Sequence, residues 1–277
     1  TLSLHDALPI YKLNIPRDRI FVTSSGSTAM HLCLASLVDK GDEVVAITPI
    51  WKNLLGAIEL TQATAKQVSL DYTDDHGWQL DLEKLFAACT EKTKVLLIVT
   101  PSNPTGWSAT QTEMKAILEF ARKRGIWVLA DEVYSRIVYE SEHEHLRADS
   151  FLDVSQDDDL LLVVNSFSKS WAMTGWRLGW IVGPEIAEGK IRDVALYNNL
   201  CSPTFTQYGA IAALENGEEF LKEQIDLWRS NRDLLVERFK ELGNVHMAYP
   251  KATFYGFFKI EGQDDCKEVT KRFIDEA

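Results

Sequence analysis

Seven short apolar runs, most of them rich in β-branched residues and turning polar at their ends, recur along the chain with helical patterns between them. They are Ile20 to Thr23, Glu43 to Thr48, Ala65 to Ser69, Val95 to Thr100, Trp127 to Ala130, Leu160 to Asn165 and Leu178 to Val182. Runs that stay apolar at consecutive positions suit strands covered on both faces. Such strands alternating with helices imply an α/β fold, a mostly parallel sheet between helical layers. The helices carry their own punctuation. Ala29 to Val38 is closed by Gly41 and Thr110 to Arg124 by Gly125, while Ser108 and Gln111 are spaced as a capping box. Phe205 to Leu242 reads as long helix broken near Gly217, Ala252 to Glu261 as a strand, and Asp264 to Ala277 as the start of a helix.

In open α/β sheets ligands bind beyond the carboxyl ends of the strands. Polar residues just past the apolar runs are therefore the functional candidates. Lys169 lies past Leu160 to Asn165 in the segment SFSKSWAMTGWRLGW, eight residues before Arg177. A free amine there can attack a carbonyl carbon and form a Schiff base, and the fixed donor fork of Arg177 matches phosphate oxygens. Ser25, Gly26 and Ser27 end the first run and open a helix, where small residues let backbone N–H groups approach a phosphate. Further segments of the same kind are TPIW with Trp51, TPSNPTG with Asn103, and WVLADEVY with Asp131 and Tyr134.

In this order the segments resemble those of class I/II, aspartate aminotransferase-like, pyridoxal phosphate-dependent aminotransferases of fold type I. The resemblance implies a three-layer α/β fold whose large domain holds a mostly parallel seven-stranded sheet, followed by part of a small α+β domain. It places the large domain at 11–238, including part of a long connecting helix, and the start of the small domain at 239–277. It implies pyridoxal 5'-phosphate as cofactor, held as an internal aldimine on Lys169, which also moves the proton during transamination of an L-amino acid with a 2-oxo acid. Ser25, Gly26, Ser27, Ser166 and Arg177 would bind the phosphate. Trp51 would stack on the pyridine ring, Asn103 and Tyr134 would hold its phenolic oxygen, and Asp131 would keep its nitrogen protonated. Those side chains should converge on one pocket, with cis bonds at Pro49 and Pro104. Relatives of this kind are cytoplasmic homodimers, so a dimer is expected of the full-length protein.

Other readings remain open on the sequence. A lyase or synthase, for β-elimination or cyclopropane-ring closure, would use the same Lys169, Asp131 and Arg177. A serine acyl-transferase could be built on Ser166 and Lys169 with Tyr197, Asn198 and Asn199, but it also needs a KTG strand that the chain lacks. Acid-specific relatives place a lysine where this chain has Ser27, or borrow an arginine from a region that here contains none between Arg192 and Arg229. The donor amino acid is thus unassigned. Compared with a typical family member, the chain reads as a fragment without the N-terminal arm or the part of the small domain that carries the substrate-carboxylate arginine. Thr1 to Ile10 match, codon for codon, the translation of a common sequencing adapter and read as non-native; a short native helix over the same residues is the alternative.

A formal net charge of −12 argues against nucleic acid as a partner. No uninterrupted apolar stretch reaches about 18 residues, so no membrane span is expected. Cys33, Cys89, Cys201 and Cys266 are scattered without ligand spacing. His143 and His145 fall in an acidic loop and are expected to be solvated, with no metal cluster.

Overall fold

The computed structural model describes residues 15–276 apart from Glu144. The reading of Thr1 to Ile10 as non-native therefore lies outside the described residues. In chain order the elements are β1 (Ile20–Thr23), α1 (Gly26–Leu37), β2 (Glu43–Thr48), α2 (Lys52–Leu60), β3 (Thr64–Ser69), β4 (Asp71–Thr73), β5 (Gly77–Gln79), α3 (Leu82–Ala87), β6 (Thr93–Val99), α4 (Gln111–Arg124), β7 (Trp127–Asp131), β8 (Leu161–Ser166), α5 (Phe167–Ser170), β9 (Gly179–Val182), α6 (Glu185–Asn198), α7 (Thr204–Asn216), α8 (Glu218–Leu242), β10 (Val245–His246), β11 (Lys259–Ile260) and α9 (Cys266–Glu276).

The seven expected strands form one sheet in the order β1-β9-β8-β7-β6-β2-β3. From β3 to β8 every pairing is parallel; β9 runs against β8 and β1 against β9. The sheet thus has a single reversed strand. Both faces are covered, which is why the strands read as continuous apolar runs. Val45, Leu96, Val128 and Val163 belong to one buried cluster with Met114 and Ile117 of α4. Their strand neighbours Val44, Leu97, Leu129 and Val164 belong to the other, with Leu32 of α1 and Ile191 of α6.

Local signals account for most element ends, with corrections. The box at the start of α4 is formed by Thr110 and Glu113, not by Ser108 and Gln111. Both pairs have the required spacing, but the Glu113 carboxylate accepts from the Thr110 N–H at 2.7 Å and accepts more strongly than an amide. Gly125 closes α4 in the left-handed conformation, φ 64°. Helix α1 stops at Leu37, and Gly41 serves the turn beyond it, φ 94°. The expected strand from Ala252 to Glu261 shrinks to β11, because Thr253 turns to φ 67° and interrupts the extended path. Ala252 instead makes a single bridge with Val138. The short hairpin of β4 and β5 was not anticipated. Helix α8 runs unbroken across the division placed at 238/239. Among the described residues no helix is long and apolar enough to cross a membrane.

His143 is half-buried rather than solvated, its Nε2 lying 3.0 Å from Asp149 Oδ1. With Asp153 these residues bring potential ligand atoms within 4.8 Å of one another, a grouping not expected from their spacing. Both oxygens of Asp153, however, accept from Arg147, at 2.7 and 2.8 Å.

Candidate active site

Because β1, β2, β6, β7 and β8 point the same way, their carboxyl ends meet on one rim. The reversed β9 begins there, so the residues preceding it reach the same rim. A cavity of about 310 Å³ opens at this edge. Ser25, Gly26 and Ser27 reach it from the end of β1, Trp51 from the loop after β2, and Asn103 from the loop after β6. Asp131 and Tyr134 come from the end of β7, Ser166 and Lys169 from the end of β8, and Arg177 from the approach to β9. All ten side chains singled out in the sequence line this one cavity.

Each position has a local cause. Ser25 caps α1, its Oγ accepting from Thr28 N–H at 3.0 Å, which fixes the turn that exposes Gly26 and Ser27. A Cβ on Gly26 would lie 3.1 Å from Val133 Cγ1 and 3.2 Å from Ser166 Cβ, so the absence of one eases the close approach of this turn to the ends of β7 and β8. Gly179 was not singled out in the sequence. A Cβ there would come within 2.7 Å of Asn165 O and 2.8 Å of Gly26 N. The glycine lets β9 close against the Ser25–Gly26 turn. The Thr48–Pro49 and Asn103–Pro104 bonds are cis, as expected, and so is Thr100–Pro101.

Asp131 is buried, and among the described residues only Val133 N–H donates to its carboxylate, at 3.2 Å. Burial pushes its carboxyl up to about 6, against the opposing pull of the Val133 N–H and the Lys169 charge. Lys169 Nζ lies 5.8 Å from the centre of the Tyr134 ring. Among the described residues it has no hydrogen-bond or ion-pair partner. Tyr134 is buried and its hydroxyl accepts from Asn103 Nδ2 at 3.3 Å. Arg177 sits in the left-handed conformation, φ 52°, a strained choice for a side chain of this size. Its Nη1 donates to Thr174 O at 2.7 Å, and the exposed side chain lines the cavity. Trp51 is exposed at the mouth.

Tyr255, like Ser168 and Thr174, is a polar lining residue that the sequence reading missed, its segment having been assigned to a strand. Its hydroxyl lies 2.8 Å from that of Tyr134 and 3.2 Å from Asn103 Nδ2. Tyr197, required by the acyl-transferase alternative, is exposed on α6 and is not among the residues lining the cavity.

The arrangement offers an amine, a buried carboxyl, a hydroxyl–amide cluster and an arginine beside a helix start, all facing one cavity. The profile of the family described as "Aminotransferase class I and II" matches residues 4–277. The chain is 31% identical over 274 residues to a probable aspartate aminotransferase of Methanocaldococcus jannaschii, covering 96% of this chain and 68% of that protein. The crystal structure of an aspartate aminotransferase from Thermotoga maritima superposes with a TM-score of 0.88 at 31% identity, over 98% of this chain and 68% of that one. An alanine aminotransferase from Pyrococcus furiosus gives a TM-score of 0.88 at 27% identity, over 98% and 69%. The chain spans 59–68% of the length of the curated relatives it matches.

Proposed function

The chain belongs to the class I and II aminotransferases, and we propose that its cavity holds pyridoxal 5'-phosphate for amino transfer from an L-amino acid to a 2-oxo acid. The observation that carries this reading is the convergence of the Lys169 amine and the buried Asp131 carboxyl, from the ends of adjacent strands, on one cavity.

The donor set fits the cofactor. A carboxyl buried with one N–H donor is complete only with a cationic or proton-bearing partner, which a protonated ring nitrogen is. The Ser25–Gly26 turn at the start of α1, Ser166 and the open side of Arg177 present donors suited to a phosphate. Pyridoxal phosphate, when bound, supplies an aldehyde for amines and a ring that accepts electron density from the substrate α-carbon. The rest is the work of the chain. Lys169 Nζ would anchor the group and would move a proton from the substrate α-carbon to the group's carbonyl carbon, as base and then as acid. Asp131 would hold the proton on the ring nitrogen. Tyr134 would donate to the phenolic oxygen with Asn103 orienting its hydroxyl, Trp51 would cover the ring, and Ser25, Gly26, Ser27, Ser166 and Arg177 would fix the phosphate.

The same reading includes a homodimer of the full-length protein. Relatives named for aspartate and for alanine transfer are alike in fold, and Ser27 brings no cation, so the donor is left to experiment. Mixing the chain with pyridoxal phosphate should give a visible absorbance band that Lys169→Ala lacks. A panel of amino acids and 2-oxo acids should then show amino transfer without ammonia release by the full-length enzyme. A band retained in Lys169→Ala would overturn the assignment of the lysine, and ammonia in place of transfer would favour a lyase.

A further inference from the structure

We propose that Tyr255 is a positioning residue for the anionic oxygen that Tyr134 serves, acting through the Tyr134 hydroxyl that Asn103 also binds. The inference rests on the reading of the cavity as a pyridoxal phosphate site.

Counting hydrogens shows what Tyr255 adds. The Asn103 amide donates to both hydroxyls, at 3.3 Å to Tyr134 and 3.2 Å to Tyr255, and the hydroxyls are 2.8 Å apart. The three groups carry four donor hydrogens between them. Three contacts use three of them, so one hydroxyl hydrogen is left to leave the triangle. An anionic oxygen near Tyr134 selects which one. Tyr255 then donates to Tyr134, and Tyr134 donates outward to the anion. Without the Tyr255 hydroxyl, Tyr134 loses an incoming hydrogen bond and becomes a weaker donor. Burial holds the Tyr134 hydroxyl above its ordinary range, so the proton needed for donation is present.

The placement of Tyr255 is built into the fold. Ala252 bridges Val138, Thr253 N–H donates to Ile137 O at 2.8 Å, and Tyr139 N–H donates to Lys251 O at 3.3 Å. Thr253 is held at φ 67° within this strap, which turns the following residues toward the cavity. The strap also presses on the loop that carries Asn103. A Cβ on Gly106 would lie 2.7 Å from Pro250 Cβ and 2.9 Å from Ala252 O. Two loops distant in sequence are thus locked together at the point where their polar tips meet.

The test is a pH titration of the visible band of the pyridoxal phosphate-loaded chain. A weaker donor leaves the phenolic oxygen more basic, so a proton shared with it is held to higher pH. Tyr255→Phe, which keeps the ring, should raise the midpoint by about half a pH unit. Tyr134→Phe should raise it further, and adding Tyr255→Phe to that variant should then shift it by less than in the wild type. Tyr139→Phe loosens the strap at Thr253 O without touching the triangle, and should lower Tm while leaving the midpoint unmoved. An unmoved or lowered midpoint in Tyr255→Phe, an equal shift in the Tyr134→Phe background, or an equal shift in Tyr139→Phe would overturn the proposal. Absence of any visible band in the wild type would instead overturn the reading of the cavity.

Discussion

Asp131 and Glu132 are sequence neighbours, both buried, at the end of β7. Asp131 faces the cavity and the Lys169 charge. Glu132 accepts from Ser150 Oγ at 2.7 Å and from Phe151 N–H at 2.9 Å. Burial pushes the Glu132 carboxyl up to about 8, outweighing the two donors. A folded-state value above the unfolded one means that the folded chain binds more protons between about pH 4.5 and 8. Stability contributed by this group is therefore complete below that window and is lost as pH rises through it. Glu132→Gln keeps the shape and removes the titration. Melts of the two proteins should nearly coincide near pH 4, with the wild type falling behind by at most about 1.4 kcal/mol per pH unit toward pH 8. Parallel curves would show that Glu132 does not titrate there. Asp131 was legible because the motif gave it a place at a strand end. The environment of Glu132 was not, since its partners arrive from a loop whose path no local pattern encodes. Tyr255 escaped for a related reason: the aromatic run from Phe254 to Phe258 satisfies a strand template, and only the turn at Thr253 redirects it.

Elements were the most legible scale. Strands buried on both faces write themselves as apolar runs, and all seven were recovered to within two residues. What sequence spacing leaves undecided is close approach between elements, and Gly179 is the instance that bears on the site. Gly179→Ala puts a methyl group within 3 Å of backbone atoms of Asn165, Ser25 and Gly26, none of which can rotate away. It should cost about 1–3 kcal/mol of stability and weaken pyridoxal phosphate binding by displacing the Ser25–Gly26 turn. Gly189, inside α6, has open space around its would-be Cβ. Gly189→Ala should stabilise by about 0.5–1 kcal/mol and leave cofactor binding alone. Thermal melts and equilibrium titration with the cofactor compare the two, and equal behaviour would refute the close-approach argument. The capping box teaches the same lesson at a helix end, where two serviceable pairs compete and the turn geometry chooses Thr110 with Glu113.

At the scale of the whole molecule the outer surface around α6 and α7 carries the next consequence. Leu196, Tyr197, Leu200, Phe205 and Tyr208 are all exposed there, with Tyr197 at 83%. Trp176, also exposed, lies over Gly209 of α7 and immediately precedes Arg177. Exposed large apolar side chains are what an association surface presents, and the homodimer proposed above would use them. Trp176 joins this surface to Arg177 of the cavity, so a second copy covering Trp176 would approach the rim. Sedimentation of the chain should show a monomer–dimer equilibrium that tightens with salt-insensitive, apolar character. The pair Leu200→Asp with Phe205→Asp should yield monomers with an unchanged far-ultraviolet spectrum. Cofactor affinity should fall with dissociation if the partner shields the rim. A wild-type chain that stays monomeric at all concentrations would leave this surface to another role, whereas dimers that resist both substitutions would place the interface elsewhere on the molecule.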